Sequence, residues 1–374
     1  MKISCTKENL SEALSLVSGI TGKNINLPIL NNILIKVTDN KVEFIATNLE
    51  TAVIVVVRAK VEEVGSFTVP ARTLTDFVSL LPSQTISFSV KDNELLVACG
   101  KSATKIKGTS AEDYPIIPSL PEGKGYLVSA ELLRDALNKV LPAVARNDIR
   151  PELSGLFVFF DADNKQIVMA ATDSYRLAEK KIKLEQGEKE MKVIVPFRAA
   201  QEINHLLTGV GGGEQKETNA RILVGDNQIV VLFNNAVVIS RLVEGQYPDY
   251  TQIIPKDFST TVTIDTGKMV KEMKASGLFT TTGVNAVTLG IKPKQNIMEI
   301  SSTSSQTGEY NSELEVEVKG NEATVLLNNR YVLDGLNNFS TLETSLKINN
   351  GDSACLFAPK GDESYLYIVM PIRQ

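Results

Sequence analysis

The chain contains one pattern of apolar and polar positions three times. In Val193–Leu207, a short β-branched run passes through a proline into a helix with an apolar face. Proline is favourable in the first turn of a helix, where its missing N–H has no intrahelical partner. The same pattern occurs in Phe67–Leu81 and in Thr324–Leu336, where Asn328 stands in place of the proline. Three equivalent arginines then lie in the first exposed turn of these helices: Arg72, Arg198 and Arg330.

A second helix opens each repeat. In all three cases a short strand leads to a residue that commonly caps helices, and apolar residues then recur at helical spacing. The three caps are Thr6, Ser129 and Asp265, and the helix after Ser129 is predicted to reach residue 146. Such long repeats indicate duplicated domains rather than a solenoid of short units.

Strands are predicted for most of the remaining chain. Alternating residues around polar turns predict a hairpin and a return strand between the two helices of each repeat. The predicted return strands are Thr51–Val57, Arg176–Ile182 and Glu313–Val318. A further meander follows the second helix, and in the first repeat its last strand is Ala103–Lys107. We therefore predict an α+β fold in which each repeat has about eight strands and two helices that cover one sheet face.

Two segments rich in proline and glycine separate the repeats, Tyr114–Gly125 and Glu244–Pro255. Such segments are typical of linkers. The sequence thus predicts three domains, at residues 1–122, 123–255 and 256–374.

Composition narrows the class of protein. The 374 residues are 43% hydrophobic and 22% charged, which is typical of a globular protein. The start of the chain has no apolar signal core, and the three cysteines are far apart, so we expect a reduced, cytoplasmic environment. A net charge of −5 gives no bulk attraction to nucleic acid. The six predicted helices are nearly neutral and favour weak, sequence-independent contact with phosphate at most.

Several candidate chemical sites have simpler structural interpretations. His205 is the only histidine and has no neighbouring cysteine or paired carboxylate. The Gly209–Gly213 run follows a helix, whereas a phosphate loop follows a strand. Asp161–Asn164 begins like a calcium loop but lacks the glycine and glutamate that such a loop needs. We therefore expect neither a metal site nor a cofactor.

Two further interpretations of the chain stay open. A hydrolase using Asp173, Ser174 and Tyr175 is one of them, although no base stands beside these residues in sequence. A repeat scaffold that binds peptides without encircling anything is the other. The apolar end of the chain, around Met370 and Ile372, suits either a core or a groove for a partner peptide.

Three short motifs together carry a resemblance to a known family. They are Ala171-Thr-Asp-Ser-Tyr-Arg-Leu-Ala178, Gly245-Gln-Tyr-Pro-Asp-Tyr250 and Val369-Met-Pro-Ile-Arg373. With the three repeats, they make the whole chain resemble the bacterial sliding-clamp family, the β subunits of DNA polymerase III. The resemblance implies three domains of the DNA-clamp fold and a non-catalytic processivity factor.

The resemblance also implies an assembly and partners. Two chains would close head to tail into a homodimeric ring around double-stranded DNA, which the ring would contact without regard to sequence. The polymerase III α subunit, the clamp-loader δ subunit, other polymerases and repair proteins would dock short peptides on the outer face. The resemblance implies no membrane association.

Three sets of residues follow from the family's motifs. The peptide groove would contain Leu153, Thr172, Ser174, Tyr175, Arg176, Leu177, Pro248, Ile253, Asn328, Tyr331, Val369, Met370, Pro371, Ile372 and Arg373, with Arg176 helping to fix the direction of the peptide. The DNA-facing residues would be Lys23, Arg72, Asn147, Arg150 and Arg198. The dimer interface would include Ala103, Thr104, Lys105, Leu278 and Phe279. The sequence departs from the family pattern at Ser174–Tyr175, where Gly-His is familiar, and at Asn24, Pro151, Glu152 and Gln252.

Overall fold

The computed structural model describes residues 1–22, 26–146, 149–187, 189–208 and 217–373. The first domain contains β1 (Lys2–Thr6), α1 (Lys7–Ser18), β2 (Asn32–Val37), β3 (Val42–Thr47), β4 (Thr51–Val57), β5 (Lys60–Glu63), β6 (Gly65–Pro70), α2 (Ala71–Leu80), β7 (Thr85–Lys91), β8 (Glu94–Cys99) and β9 (Ser102–Lys107).

The third domain repeats this order of elements, and the second repeats it without a counterpart of β5 among the described residues. The second contains β10 (Tyr126–Ser129), α3 (Ala130–Val140), β11 (Gly155–Asp161), β12 (Gln166–Thr172), β13 (Arg176–Lys183), β14 (Met191–Pro196), α4 (Phe197–Leu206), β15 (Asn219–Val224), β16 (Gln228–Phe233) and β17 (Ala236–Arg241). The third contains β18 (Thr260–Asp265), α5 (Thr266–Gly277), β19 (Ala286–Lys292), β20 (Ile297–Ser304), β21 (Gly308–Glu315), β22 (Glu317–Gly320), β23 (Ala323–Asn328), α6 (Asn329–Leu336), β24 (Glu343–Ile348), β25 (Cys355–Pro359) and β26 (Tyr365–Val369).

The predicted caps open the first helix of each domain. The side chains of Thr6, Ser129 and Asp265 each accept a hydrogen bond from a backbone N–H in the first turn. The second helices differ, because Pro70 and Pro196 lie one position before α2 and α4 and provide no side-chain cap. Asn328 does cap α6, since its side chain accepts hydrogen bonds from the backbone of Arg330 and Tyr331.

Two sheets run continuously from one domain to the next. The sheet with strand order β10-β15-β16-β17-β4-β3-β2-β6 joins the first and second domains where β17 pairs with β4. The sheet with order β14-β11-β12-β13-β26-β25-β24-β18-β22 joins the second and third domains where β13 pairs with β26. A sheet of order β5-β1-β7-β8-β9 and one of order β21-β20-β19-β23 lie at the two ends of the chain.

Each helix pair packs against two sheets, not against one as the sequence analysis predicted. For example, α3 contacts β12 and β13 of one sheet and also β10 and β15 of another. The apolar helix faces, including Leu133, Leu137 and Val140 of α3, are buried in the main core. The prediction was wrong because strands of one domain divide between two sheets, and that division depends on pairing between distant segments.

Two predicted elements have different bounds in the structure. The return strand of the third domain begins at Gly308, not at Glu313, and a separate strand begins at Glu317. Val316 lies between them, where the chain passes from one sheet to another, and its N–H donates to the Asn296 carbonyl oxygen at 3.0 Å. The helix that was predicted to reach residue 146 ends at Val140, because Pro142 has no N–H to continue it.

Candidate functional site

A tight turn between β12 and β13 forms one side of the candidate site. The Thr172 hydroxyl donates to the Arg176 carbonyl oxygen at 2.6 Å and accepts from the Ser174 N–H at 3.1 Å. Asp173 accepts hydrogen bonds from the backbone N–H groups of Tyr175 and Arg176, both at 3.0 Å. Short polar side chains commonly stabilise turns in this way. The Asp173 carboxylate is therefore engaged in building the turn.

The first domain contains the same turn at the equivalent place. The Thr47 hydroxyl donates to the Thr51 carbonyl oxygen and accepts from the Leu49 N–H. Asn48 accepts from the two backbone N–H groups that correspond to those held by Asp173. Leu49 and Ser174 also share a left-handed backbone, with φ of 77° and 75°. Because the turn is common to two domains, it is part of the repeated fold.

The end of the chain forms the opposite side. After β26 pairs with β13, the Met370 N–H donates to the Tyr175 carbonyl oxygen at 2.8 Å. The Ile372 N–H then donates to the Leu326 carbonyl oxygen on β23, also at 2.8 Å. These two bonds hold the tail between the second and third domains. We call residues 370–373 the tail.

A groove of about 480 Å³ lies between the turn and the tail. Tyr175 is 62% exposed, and its ring stacks with that of Tyr331 at a centroid distance of 6.5 Å. Burial raises the pKa of the Tyr331 hydroxyl, with a further contribution from the nearby Asp173 carboxylate. Most of the lining is apolar or aromatic, which suits the side chains of an extended peptide. The lining residues are Ser174, Tyr175, Val284, Asn328, Tyr331, Met370, Pro371, Ile372 and Arg373.

Eight residues that the sequence analysis assigned to the groove therefore line it. Four more, Leu153, Thr172, Leu177 and Val369, are almost fully buried beneath the surface. Val284 was missed, although it is 49% exposed and lines the groove. It precedes β19 in a segment with no repeat signal, and only the packing of β19 beside β23 brings it to this place.

The linker from the second to the third domain packs beside the turn. The Tyr247 hydroxyl accepts a hydrogen bond from the Thr172 N–H at 3.0 Å, and burial raises the pKa of Tyr247. Tyr247, Tyr250 and Phe157 form an aromatic cluster with centroid distances of 5.2 to 6.4 Å. Pro248 is half-buried in this linker, and Ile253 is exposed. Neither residue lines the groove between the turn and the tail.

Arg176 does not line the groove between the turn and the tail. Its side chain is buried, and its Nε donates to Asp173 Oδ2 at 3.0 Å. Its other end binds the Asp334 carboxylate of the third domain. The guanidinium thus already has two carboxylate partners. Asp334 is distant in sequence and close only in the fold, so the sequence did not show that this cation is already paired; that it directs a bound peptide stays a prediction.

The predicted cationic positions on the helices are exposed. Arg72, Arg198 and Arg330 all point to solvent from the first turns of α2, α4 and α6. Arg72 lies 3.5 Å from Asp76, and Arg150 Nε donates to Glu152 Oε1 at 3.1 Å. Intramolecular pairs of this kind compete with a phosphate for the cation. The predicted residues Lys23 and Asn147, and the departure at Asn24, lie outside the described residues, as does Gly209–Gly213.

The helix α5 carries a set of cations that the sequence analysis did not assign. Lys268, Lys271 and Lys274 are exposed on the side of α5 away from the buried Met269 and Met273. Their spacing of three residues was a visible signal, since residues three apart are neighbours on a helix. The third domain therefore presents more positive charge on its helices than the arginine pattern alone indicated.

Among the edge strands of the two end sheets, two bear on the predicted dimer interface. They are β9, which contains Ala103, Thr104 and Lys105, and β21. Leu278, just after α5, is 70% exposed, and Phe279 is half-buried and stacks on Tyr310 of β21 at 5.9 Å. Open strand edges with apolar neighbours commonly pair with another chain.

The other candidate chemistry has a structural explanation. Asp161 accepts hydrogen bonds from Gln166 and Asn164, and these hold the pKa of its carboxyl below the usual range. His205 lies on α4, with Nδ1 4.0 Å from Glu202. Across the described ranges no group of three or more His, Cys, Asp or Glu side chains is arranged to hold a metal ion. No helix in this part of the chain is long and apolar enough to span a membrane.

Three repeated two-helix domains, joined through continuous antiparallel sheets, define this molecule as an assembly of clamp domains. Models of the N-terminal, central and C-terminal domains of the DNA polymerase III beta subunit match residues 1–118, 127–249 and 251–373. The chain belongs to the DNA polymerase III beta subunit family. Its function is that of a DNA sliding clamp, a processivity factor that is not catalytic.

Individual relatives agree over nearly the full length. The chain is 27% identical to a beta sliding clamp of Synechocystis, covering 100% of this chain and 99% of the relative. It is 26% identical to a beta sliding clamp of Staphylococcus aureus, covering 97% and 96%. The crystal structure of the beta subunit from Thermotoga maritima is similar with a TM-score of 0.93 at 25% identity, covering 100% of this chain and 99% of that one. A Pseudomonas aeruginosa sliding clamp bound to griselimycin is similar with a TM-score of 0.92 at 25% identity, with full coverage of both chains.

Proposed function

We propose that two copies of this chain close head to tail into a ring around duplex DNA and tether partner proteins to it. The observation that carries this proposal is the equivalence of the strand junctions. At both junctions inside the chain, the last strand of one domain pairs with the return strand of the preceding domain, as β17 with β4 and β26 with β13. The strands left over are β9, the last of the first domain, and β21, the return strand of the third. The same rule pairs β9 of one chain with β21 of another.

The two open edges are complementary in charge. The β9 strand carries Lys105 and Lys107, whereas β21 carries Glu309, Glu313 and Glu315. Opposite charges on neighbouring strands stabilise their pairing and disfavour the pairing of like edges. A seam between β9 and β21 is therefore favoured over contacts of β9 with β9 or of β21 with β21. This supports the head-to-tail arrangement of the proposed ring.

Apolar side chains beside the open edges support the same seam. Leu80 at the end of α2 is 84% exposed, whereas Leu206, in the equivalent position of α4, is buried, and α4 contacts α1 of the first domain. Phe279 lies as far after its helix cap as Ile20 lies after Thr6, and Ile20 is buried. We therefore assign Leu80 to the dimer interface with Ala103, Thr104, Lys105, Leu278 and Phe279. Burial of a leucine stabilises such an interface by about 1.5 to 3 kcal/mol.

The helices are proposed to line the hole of the ring and to contact DNA weakly. Arg72, Arg198 and Arg150 are the contacts proposed from sequence, with Lys23 and Asn147 outside the described residues. To these we add Arg330 and the lysines of α5. Contacts with phosphate alone carry no sequence information and are screened by salt, so the ring can slide. A closed ring cannot leave circular DNA without opening, so processivity does not require a tight grip.

We propose the groove between the turn and the tail as the docking site for partner peptides. Its exposed tyrosines and apolar tail residues suit apolar anchors on an extended segment. The polymerase III α subunit, the clamp-loader δ subunit, other polymerases and repair proteins are the expected partners, in the cytoplasm. Two identical chains provide two grooves, so partners tethered to one ring have a high effective concentration for exchange.

Retention on DNA tests the ring directly. After loading, the protein should remain on circular DNA and be lost from the same DNA once it is linearised. Leu278→Lys should abolish the dimer and this retention, because it places a charge in the proposed seam. Leu342→Lys is the matched control, since Leu342 is also exposed but lies at the other end of α5, where its carbonyl oxygen accepts from the Thr266 N–H. Equal loss from circular and linear DNA would rule out encirclement.

A further inference from the structure

A buried charged cluster lies directly beneath the proposed peptide groove. Its centre is Arg176, whose guanidinium binds Asp173 of its own domain and Asp334 of the third domain. The same guanidinium donates to the Tyr367 hydroxyl at 3.5 Å and lies over the Tyr331 ring, 4.5 Å from its centroid. The cluster therefore joins two domains through one side chain.

The electrostatics favour a permanently charged and fixed Arg176. Burial alone would lower its pKa, but the Tyr367 hydroxyl, Asp334 and Asp173 outweigh burial and raise the pKa above its ordinary value. Arginine has a planar, rigid group, so two carboxylates and a ring face fix its orientation as well as its position. Removal of one partner of such a buried pair leaves a charge without compensation.

The cluster reaches the groove through Tyr331. The Arg176 guanidinium lies over the Tyr331 ring, and this ring also stacks with the ring of the exposed Tyr175. The Tyr331 carbonyl oxygen also accepts a hydrogen bond from Tyr367 at 2.9 Å. Tyr331 and Tyr175 both line the groove, whereas Arg176, Asp334 and Tyr367 do not.

We propose that Arg176 is a positioning residue of the groove: the Asp173–Arg176–Asp334 cluster fixes Tyr331 and Tyr175, the tyrosine wall against which the peptide packs. This inference rests on the proposed docking function of the groove. It adds that Asp334, outside the groove and in another domain from Arg176, controls peptide affinity. It also means that the groove takes its shape only when the second and third domains are joined correctly.

A second ion pair at the same junction provides a matched control. Lys180 lies four residues after Arg176 on β13, is equally buried, and donates to Asp362 of the third domain at 3.0 Å. Asp334→Asn and Asp362→Asn thus each remove one carboxylate partner from a buried cation of β13. Asp334 is connected to Tyr331 through Arg176, whereas Lys180 binds Asp362 and lines no part of the groove.

Peptide affinity of the full-length chain and its variants tests the proposal. The probe is a synthetic peptide of about ten residues with adjacent leucine and phenylalanine anchors, and its binding is measured by calorimetry. We expect Asp334→Asn to weaken binding about tenfold, since hydrogen bonds to charged groups are among the stronger ones. Asp362→Asn should change binding less than about twofold, although both variants should lower the thermal midpoint of unfolding similarly.

Further variants make the test independent of folding. Arg176→Lys keeps the charge but loses the planar contact with Tyr331, so it should weaken binding nearly as much as Asp334→Asn. Asp334→Glu, which keeps the carboxylate, should restore part of the affinity. Equal effects of Asp334→Asn and Asp362→Asn on binding, or unchanged binding in Asp334→Asn and Arg176→Lys, would overturn the positioning role. Failure of the unmodified chain to bind any such peptide would instead overturn the groove as a docking site, and the inference with it.

Discussion

Ser174, which lines the groove, has a strained backbone conformation. Its φ of 75° lies in the left-handed region, which costs a residue with a side chain about 1 kcal/mol or more. The turn keeps this conformation because the Thr172 hydroxyl and Asp173 carboxylate hold the backbone on both sides. Leu49 has the same conformation in the first domain. The strain therefore comes from the repeated turn.

Glycine at position 174 should stabilise the protein. Ser174→Gly removes the left-handed strain but gives the unfolded chain more freedom, so we expect the free energy of unfolding to rise by up to about 1 kcal/mol. Leu49→Gly tests the same strain in the first domain. Ser66→Gly is the control, because Ser66 is exposed in an extended strand and its replacement should destabilise by about 0.5 to 1 kcal/mol. A loss of stability in Ser174→Gly, measured by denaturant unfolding, would contradict the strain.

At the scale of elements, the short helix α6 depends on its cap. It has eight residues, and the Asn328 side chain accepts hydrogen bonds from two of its free backbone N–H groups. Unlike the prolines at the starts of α2 and α4, Asn328 also lines the groove. The third domain thus uses one side chain both to begin a helix and to form the groove.

Loss of this cap should lower stability and peptide affinity together. We expect Asn328→Ala to reduce the free energy of unfolding by about 1 kcal/mol, the usual value of a lost cap, and to displace Tyr331 in the first turn. Asn328→Asp is the matched variant, since aspartate caps equally well. If Asn328→Asp were as unstable as Asn328→Ala in thermal unfolding, capping would not explain the role of Asn328.

At the scale of the whole molecule, the positions of the charges matter more for DNA binding than the net charge. The net charge is −5, yet exposed cations lie on α2, α4, α5 and α6, while acidic residues lie on the edge strand β21. A ring closed by the seam would present the helices to the DNA and the sheets to the solvent. Weak attraction in the hole and topological closure would then act together.

Neutralising the helix arginines should change the salt dependence of DNA binding. Arg72→Ala combined with Arg198→Ala should shorten residence on linear DNA and reduce the slope of log affinity against log salt by about 0.9 for each lost phosphate contact. Arg221→Ala with Lys181→Ala removes the same charge from exposed sheet positions and should leave the slope unchanged. An unchanged slope in the helix variant would show that α2 and α4 do not face the duplex.

Much of this protein could be predicted from its sequence, because these features depend on local interactions. The three repeats, the caps Thr6, Ser129 and Asp265, and the turn after β12 depend on residues a few positions apart. The motifs at the turn and at the tail also indicated most of the groove residues. Helix capping and turn formation need no distant partner, so the pattern of side chains was sufficient for them.

Pairing between distant segments was decided only by the tertiary structure. The division of each domain between two sheets, the open edges of β9 and β21, and the place of Val284 follow from strand order, which no local pattern contains. Arg176 was predicted as a peptide contact from the family resemblance. Its partner Asp334 lies 158 residues away, and only their approach in the fold shows that the cation is already paired and buried.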